Sequence, residues 1–280
     1  MSLDAALSSS EPMVRAGLFA LAFVAMAAWE WLAPRRVPTT PRRARWPSNM
    51  AVVVLNTVLV RVLFPLTAVA WADRLARDSD GPMHGLPVPA WLAVVLALVL
   101  LDLVIYLQHR VLHAVPWLWR LHRMHHADTE FDVTNGLRFH PLEILLSMLV
   151  KFAAIAAIGA PALAVLVFEI MLNATAIFNH ANARIPLGLD RVLRWVVVTP
   201  DMHRVHHSVL REETDSNFGF NLPWWDRWFG TYRAQPRDGH LGMRIGLFQF
   251  RNARWLRLDA MLRQPWASDD AEPPERPDGP

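Results

Sequence analysis

Residues 102–126 read DLVIYLQHRVLHAVPWLWRLHRMHH. The stretch starts inside a long apolar run and ends in a basic segment that carries His109, His113, His122, His125 and His126. Side chains three or four residues apart share one face of an α-helix, so HRVLH and HRMHH each predict a helix that turns two or three imidazoles toward a common point. HRVHH repeats the pattern with His203, His206 and His207, and His180 in FNHAN makes a ninth candidate. Neutral imidazole suits iron, zinc, copper or nickel, whereas magnesium and calcium take oxygen donors, and the clusters contain no carboxylate. One metal rarely takes more than six ligands, so the number of candidates favours two late transition-metal ions. A lone histidine on an apolar face is usually a hydrogen-bonded core residue. Here eight of the 12 histidines fall in three short windows, and a purely structural reading would leave many buried polar rings without a shared partner. His84 and His240 stand alone and read as a loop residue and a tail residue.

The apolar runs around these clusters set the fold class. Hydrophobic residues make up 53% of the 280 and charged residues 19%, which is too apolar for an ordinary soluble domain. Arg15–Ala33, Ala51–Ala72, Pro89–Leu107, Leu142–Ala160 and Ala162–Phe178 each approach the length of about 20 residues that crosses a bilayer. The expected fold is all-α, a polytopic transmembrane helical bundle of about four to five spans with a histidine-rich dimetal site on its cytoplasmic face. Glu30, Arg61, Asp102, Lys151 and Glu169 interrupt the runs. Glu30 lies near a span end, and Arg61 and Lys151 are expected to snorkel to the interface. Asp102 and Glu169 are expected to face protein or water. The linker RRVPTTPRRAR, residues 35–45, is densely basic, whereas residues 73–86 mix Asp73, Asp78 and Asp80 with two arginines, so the first linker should be cytoplasmic. Five spans then put both histidine-bearing segments on that same face.

The chain has no cysteine, hence no disulfide, no thiolate-held metal and no cysteine-ligated iron–sulfur cluster. It also shows no haem-attachment motif and no glycine-rich nucleotide loop, so any electrons must come from an external reductant. A net charge of +3 in so apolar a chain fits an anionic membrane surface and no nucleic acid. A single lysine, Lys151, among 28 basic residues is the mark of a G+C-rich genome, and the expected location is a bacterial inner membrane. The first span reads as a retained anchor, because it lacks a basic front and a small-residue cleavage site. Residues 217–232, NFGFNLPWWDRWFGTY, read as interfacial packing or a lid over the site. From about residue 263 onward the Pro- and Asp-rich chain reads as disordered. The organisation expected is an anchor with a basic linker at 1–87, a catalytic domain at 88–235 and a C-terminal segment at 236–280.

The order and spacing of DLVIYLQHRVLH, LWRLHRMHH, DVTNGLRFHPLE, FNHAN, TPDMHRVHHS and NFGFNLPWWDRWFGTY, over residues 102–232, resemble the fatty acid hydroxylase and sterol desaturase superfamily of membrane-bound diiron oxygenases. The resemblance implies that His109, His113, His122, His125, His126, His203, His206 and His207 hold two iron ions, for which zinc substitutes on purification, with His180 as an additional histidine. Some members carry a further histidine where Arg184 stands here. The implied reaction is hydroxylation or desaturation of a lipid (fatty acyl, sterol-like or ether lipid) with O2, fed by a separate electron-donor protein or by a pterin. Asp102, Asp132, Asp201, Asn217 and, more weakly, His140 are the candidates for orienting the ligand imidazoles. The alternative from another class is a membrane protein that binds or transports zinc or copper, which would want its ligands near mid-membrane.

Overall fold

In the computed structural model, which describes residues 3–78, 81–85 and 87–268, the chain is helical throughout, with two isolated β-bridges and no strand among those residues. The five apolar segments appear as α1 (Leu3–Leu32), α2 and α3 (Arg42–Leu63 and Ala68–Arg77), α4 (Ala90–Ala114), α6 (Pro141–Ile158) and α7 (Ala162–His180). All five are long and apolar enough to cross a membrane. The second is broken where a continuous run was expected. Pro65 disfavours helical geometry at the residue before it, and Phe64 duly leaves the helix at φ −116°, ψ 95°. The chain restarts at Thr67, whose side chain accepts from the Ala70 amide.

The helices pack around small residues. Ala68, Ala72, Ala97, Ala154, Ala160 and Ala164 form a core with Leu101, Ile155 and Phe168, letting the backbones of α3, α4, α6 and α7 approach closely. At one end of the bundle Gly159 closes α6 with φ 69°. A side chain added at Gly81 would stand 2.5 Å from the Gly159 Cα, so this crossing of two turns needs glycine on both sides. At the other end α1 finishes, α2 begins, α4 finishes, α6 begins and α7 finishes, and the short helices that follow the spans cover that end. The elements that matter there are α5 (Pro116–His126), α8 (Leu187–Leu193), α9 (Pro200–His206), α10 (Arg211–Thr214) and α11 (Trp224–Trp228).

Two of the span-interrupting charges behave differently from the expectation. Glu30 is fully buried and accepts from the amides of Val133 and Asn182, each at 3.1 Å, and from Arg42. It therefore ties α1 to the loops beside the histidines. Lys151 does not snorkel but donates to Glu169 at 2.7 Å, and Arg15 approaches the same carboxylate at 2.8 Å, which joins α1, α6 and α7 through a compensated charge. Arg61 is exposed. The tail also differs in part from the expectation, because residues up to 268 are folded. Gln264 is buried and its carbonyl accepts from Arg123 of α5. The rest of the expected disordered tail, 269–280, lies outside the described residues.

Candidate metal centre

Every candidate histidine sits at or near the carboxyl end of a helix. His109 and His113 occupy the last turns of α4, the run His122–His126 ends α5, His180 is the last residue of α7, and His203 and His206 end α9 with His207 as its cap. Proline starts the two short helices. Pro116 stands at the head of α5 and Pro200 at the head of α9, where the Thr199 side chain also accepts from the Met202 amide. Four helix termini carrying partial negative charge thus point toward one place, a field that favours a cation there.

The nine imidazoles divide into two groups. His109, His113, His122, His126 and His206 form one, and His125, His180, His203 and His207 the other, each with one nitrogen per ring within 4.8 Å of the rest. The division follows helix geometry. Four residues overshoot a full turn by about 40° and three undershoot it by about 60°, so 109/113, 122/126 and 203/207 each stay together, while the i+3 partners His125 and His206 swing into the opposite group. The second and third boxes therefore each serve both groups, which fixes the groups side by side.

The group geometry fits metal coordination. His109 Nε2 lies 3.2 Å from His122 Nε2, and His180 Nε2 lies 3.1 Å from both His125 Nε2 and His203 Nε2. Adjacent nitrogens around one ion, each about 2.1 Å from it, are separated by roughly 3.0–3.4 Å. Buried nitrogens of His113, His126, His206 and His207 have no hydrogen-bond partner, an arrangement that costs free energy unless something binds them. Burial, reinforced by mutual repulsion among the imidazoles, holds His125, His126, His203 and His207 well below the usual histidine range. Burial brings His206 down to about 3. Burial thus favours the neutral form of these five rings, the form that ligates metal. Aromatic rings close the surroundings: Phe139 stacks on His125 at 4.5 Å, and Trp119 and Phe218 lie 4.8 and 5.1 Å from His113.

None of the five polar residues proposed from sequence to orient these rings does so. Asp102 accepts from Asn221, Trp225 and the Leu222 amide. Asp132 pairs with Arg45, Asp201 with Arg35 and Arg204, and Asn217 holds the carbonyls of Met202 and Arg233. His140 caps α6 and reaches Leu262, touching no other histidine. His240 is not a tail residue: it is buried 3.7 Å from Asp201. The carboxylates that do meet the clustered imidazoles are Glu143, 2.7 Å from His122 Nδ1, and Asp215, 3.3 Å from His113 Nδ1. Glu143 had a signal in the sequence, as the one carboxylate of RFHPLE. Asp215 had none, since it lies 102 residues from its partner.

Residues 94–231, just under half of the chain, match the family model described as fatty acid hydroxylase. It is similar to the ornithine lipid hydroxylase OlsE of Rhizobium tropici, 33% identical over 53% of this chain and 44% of that protein. It is also similar to the alkylglycerol monooxygenase of Homo sapiens (29%, over 46% and 28%) and to the cholesterol 25-hydroxylase of Rattus norvegicus (26%, over 64% and 59%). The matches thus span between about a quarter and three fifths of these relatives' lengths. No solved structure matches. Neither the family nor these relatives support metal transport, and the histidines gather at one end of the bundle, not along its middle.

Proposed function

We propose that the nine histidines ligate two ions, iron in the cell, and that the chain is a membrane-bound lipid hydroxylase. The observation that carries this reading is the pair of adjoining buried imidazole groups, five and four in number, at the end of five apolar segments. The names of the relatives add the substrate class, a lipid. Two redox-active irons, when bound, supply the activation of O2 needed to oxidise an unactivated C–H bond. The work of this chain's residues is then to hold and orient. The imidazoles ligate without adding charge. Glu143, Asp215 and the carbonyls of Phe218, Ser216 and Ala176 fix ring orientation through the far nitrogens of five of them. The rings of Phe131, Phe139, Phe218 and Trp119 keep water away. Electrons come from a separate donor protein or a pterin.

Protein in lipid nanodiscs, loaded anaerobically with ferrous iron and supplied with candidate lipids, is expected to stay inactive until a reductant is added. One labelled oxygen atom from isotopic O2 should then enter the lipid. A product two hydrogens short and unlabelled would instead mean desaturation, and a vesicle flux of metal without oxygen consumption would overturn the oxygenase reading. The site is further proposed to face the cytoplasm, on the strength of the basic linker. Because the chain has no cysteine, Arg211→Cys beside the site and Gly85→Cys at the opposite end give clean reporters in intact cells. An impermeant thiol reagent should label the second and spare the first. The reverse pattern would invert the orientation.

A further inference from the structure

The two imidazole groups differ in what stands behind them. A ligating imidazole whose far N–H is donated to an acceptor is held in one orientation and made a stronger base, most of all when that acceptor is a carboxylate. In the five-histidine group four rings are backed in this way. His122 Nδ1 donates to Glu143 at 2.7 Å and His113 Nδ1 to Asp215 at 3.3 Å, while His109 and His206 donate to the carbonyls of Phe218 and Ser216 at 2.8 and 2.7 Å. Only His126 has no acceptor among the described residues. In the four-histidine group the proportion reverses. His180 donates to the Ala176 carbonyl at 2.7 Å, within its own helix, but the Nδ1 atoms of His125, His203 and His207 are buried without a partner.

The two carboxylates differ in setting. Glu143 is 2% exposed and its second oxygen has no partner, so its charge acts on His122 in a medium that screens little. Asp215 has a side chain 40% exposed and also accepts from Arg211, so its influence is weaker. Both act on the same group.

Resting on the dimetal reading above, we propose that the two metal positions are unequal by construction. The five-histidine position fills first and holds its ion at least about tenfold more tightly, with Glu143 as the main positioning residue, while the four-histidine position is the labile one. Ligand number and ligand backing act in the same direction, since the tighter position has both the extra imidazole and both carboxylates.

The test uses the full chain in nanodiscs, stripped of metal and titrated with zinc against a competing chelator, with bound metal counted by elemental analysis. Wild type should take up two ions in two resolved steps. Glu143→Gln keeps an acceptor oxygen but removes the charge. It should weaken the tight step about 10- to 100-fold and leave the loose step where it was. Asp215→Asn, on a partly exposed residue whose loss does not threaten folding, should shift the same step by a smaller factor. It carries the test if Glu143→Gln fails to fold. His207→Ala should remove the loose step and spare the tight one. Two ions bound with equal affinity, or a loss in Glu143→Gln or Asp215→Asn that falls on the loose step or on both steps alike, would overturn the ranking alone. A total of one ion would overturn the dimetal reading itself.

Discussion

Replacing His125 or His206 with alanine is expected to bring lipid oxidation below about 1% of the wild-type rate. The bound is conservative. Removing a group that merely orients a ligand imidazole typically costs 10- to 100-fold in metal affinity or activity, and these substitutions remove a proposed ligand itself. The two residues probe different positions, because His125 lies in the four-histidine group and His206 in the five-histidine group. Each variant should also lose metal unequally. His125→Ala should retain close to one ion per chain, whereas His206→Ala weakens the position proposed to be tight. Both should still insert and fold, since the core of the spans is built from Ala97, Leu101, Ile155, Ala164 and Phe168, well away from the rings. The check is product formation by lipid mass spectrometry beside metal content and a thermal unfolding midpoint. Normal turnover in either folded variant would take that histidine off the ligand set.

The helix ends explain why this site can exist in so apolar a chain. A polar cluster buried mid-membrane would need compensation along the whole length of several helices. Here each histidine-bearing span delivers its rings only at its final turns. The short proline-started helices α5 and α9 then bring in five of the remaining six rings from the side, and His207 follows as the cap of α9. The loop between α10 and α11 is recruited to the same end. Asp226 accepts from the amides of Phe218 and Gly219 at 2.8 Å, which holds the Phe218 carbonyl where His109 can donate to it. The aromatic stretch 217–232 is therefore packing with a task, one step removed from the candidate ligands.

The nine histidines and the five apolar runs were legible in the sequence because both depend on local periodicity, which one-dimensional spacing records. The break at Pro65 has a sequence signal too, a proline inside the apolar run. The split of each box into two groups follows from the difference between i+3 and i+4, and only the arrangement of several helices shows that both directions are occupied. What sequence reasoning missed was long-range polar pairing. Asp102 precedes His109 on the same helix, yet the fold gives it to Asn221 and Trp225. Glu30 and Lys151 carried the right signal, a charge inside a span, but their partners 103 and 18 residues away could not be read from spacing. Partners this distant in sequence are set by tertiary contact, and the local i,i+3 and i,i+4 rules do not reach them.

The largest effect on stability is expected from Arg45→Ala. Arg45 is 1% exposed and donates to Asp128 and Asp132, each at 2.6 Å at its closest, and to Asn135 at 2.9 Å. Asn49 adds Thr134 to the same network, and Arg138 approaches Asp128 at 3.3 Å. Burial alone would raise Asp128, but the guanidinium groups of Arg45 and Arg138 outweigh it and hold the carboxyl down to about 2, so it is charged at neutral pH. Removing Arg45 leaves two buried carboxylates facing each other with one partner lost, a change that typically costs about 3–5 kcal/mol. Arg45→Met, which fills more of the space but restores no charge, should recover only a minor part. The network joins α2 to residues 128–138, directly after His125 and His126, so the damage should reach the metal centre as well. The expected result is a lowered unfolding midpoint together with loss of bound metal at both positions. The double variant Arg45→Met with Asp128→Asn, which removes a charge from each side, should recover part of both. An unfolding midpoint unchanged in Arg45→Ala would mean that water or lipid headgroups reach these carboxylates, and that the second apolar segment is not what holds the histidine loop in place.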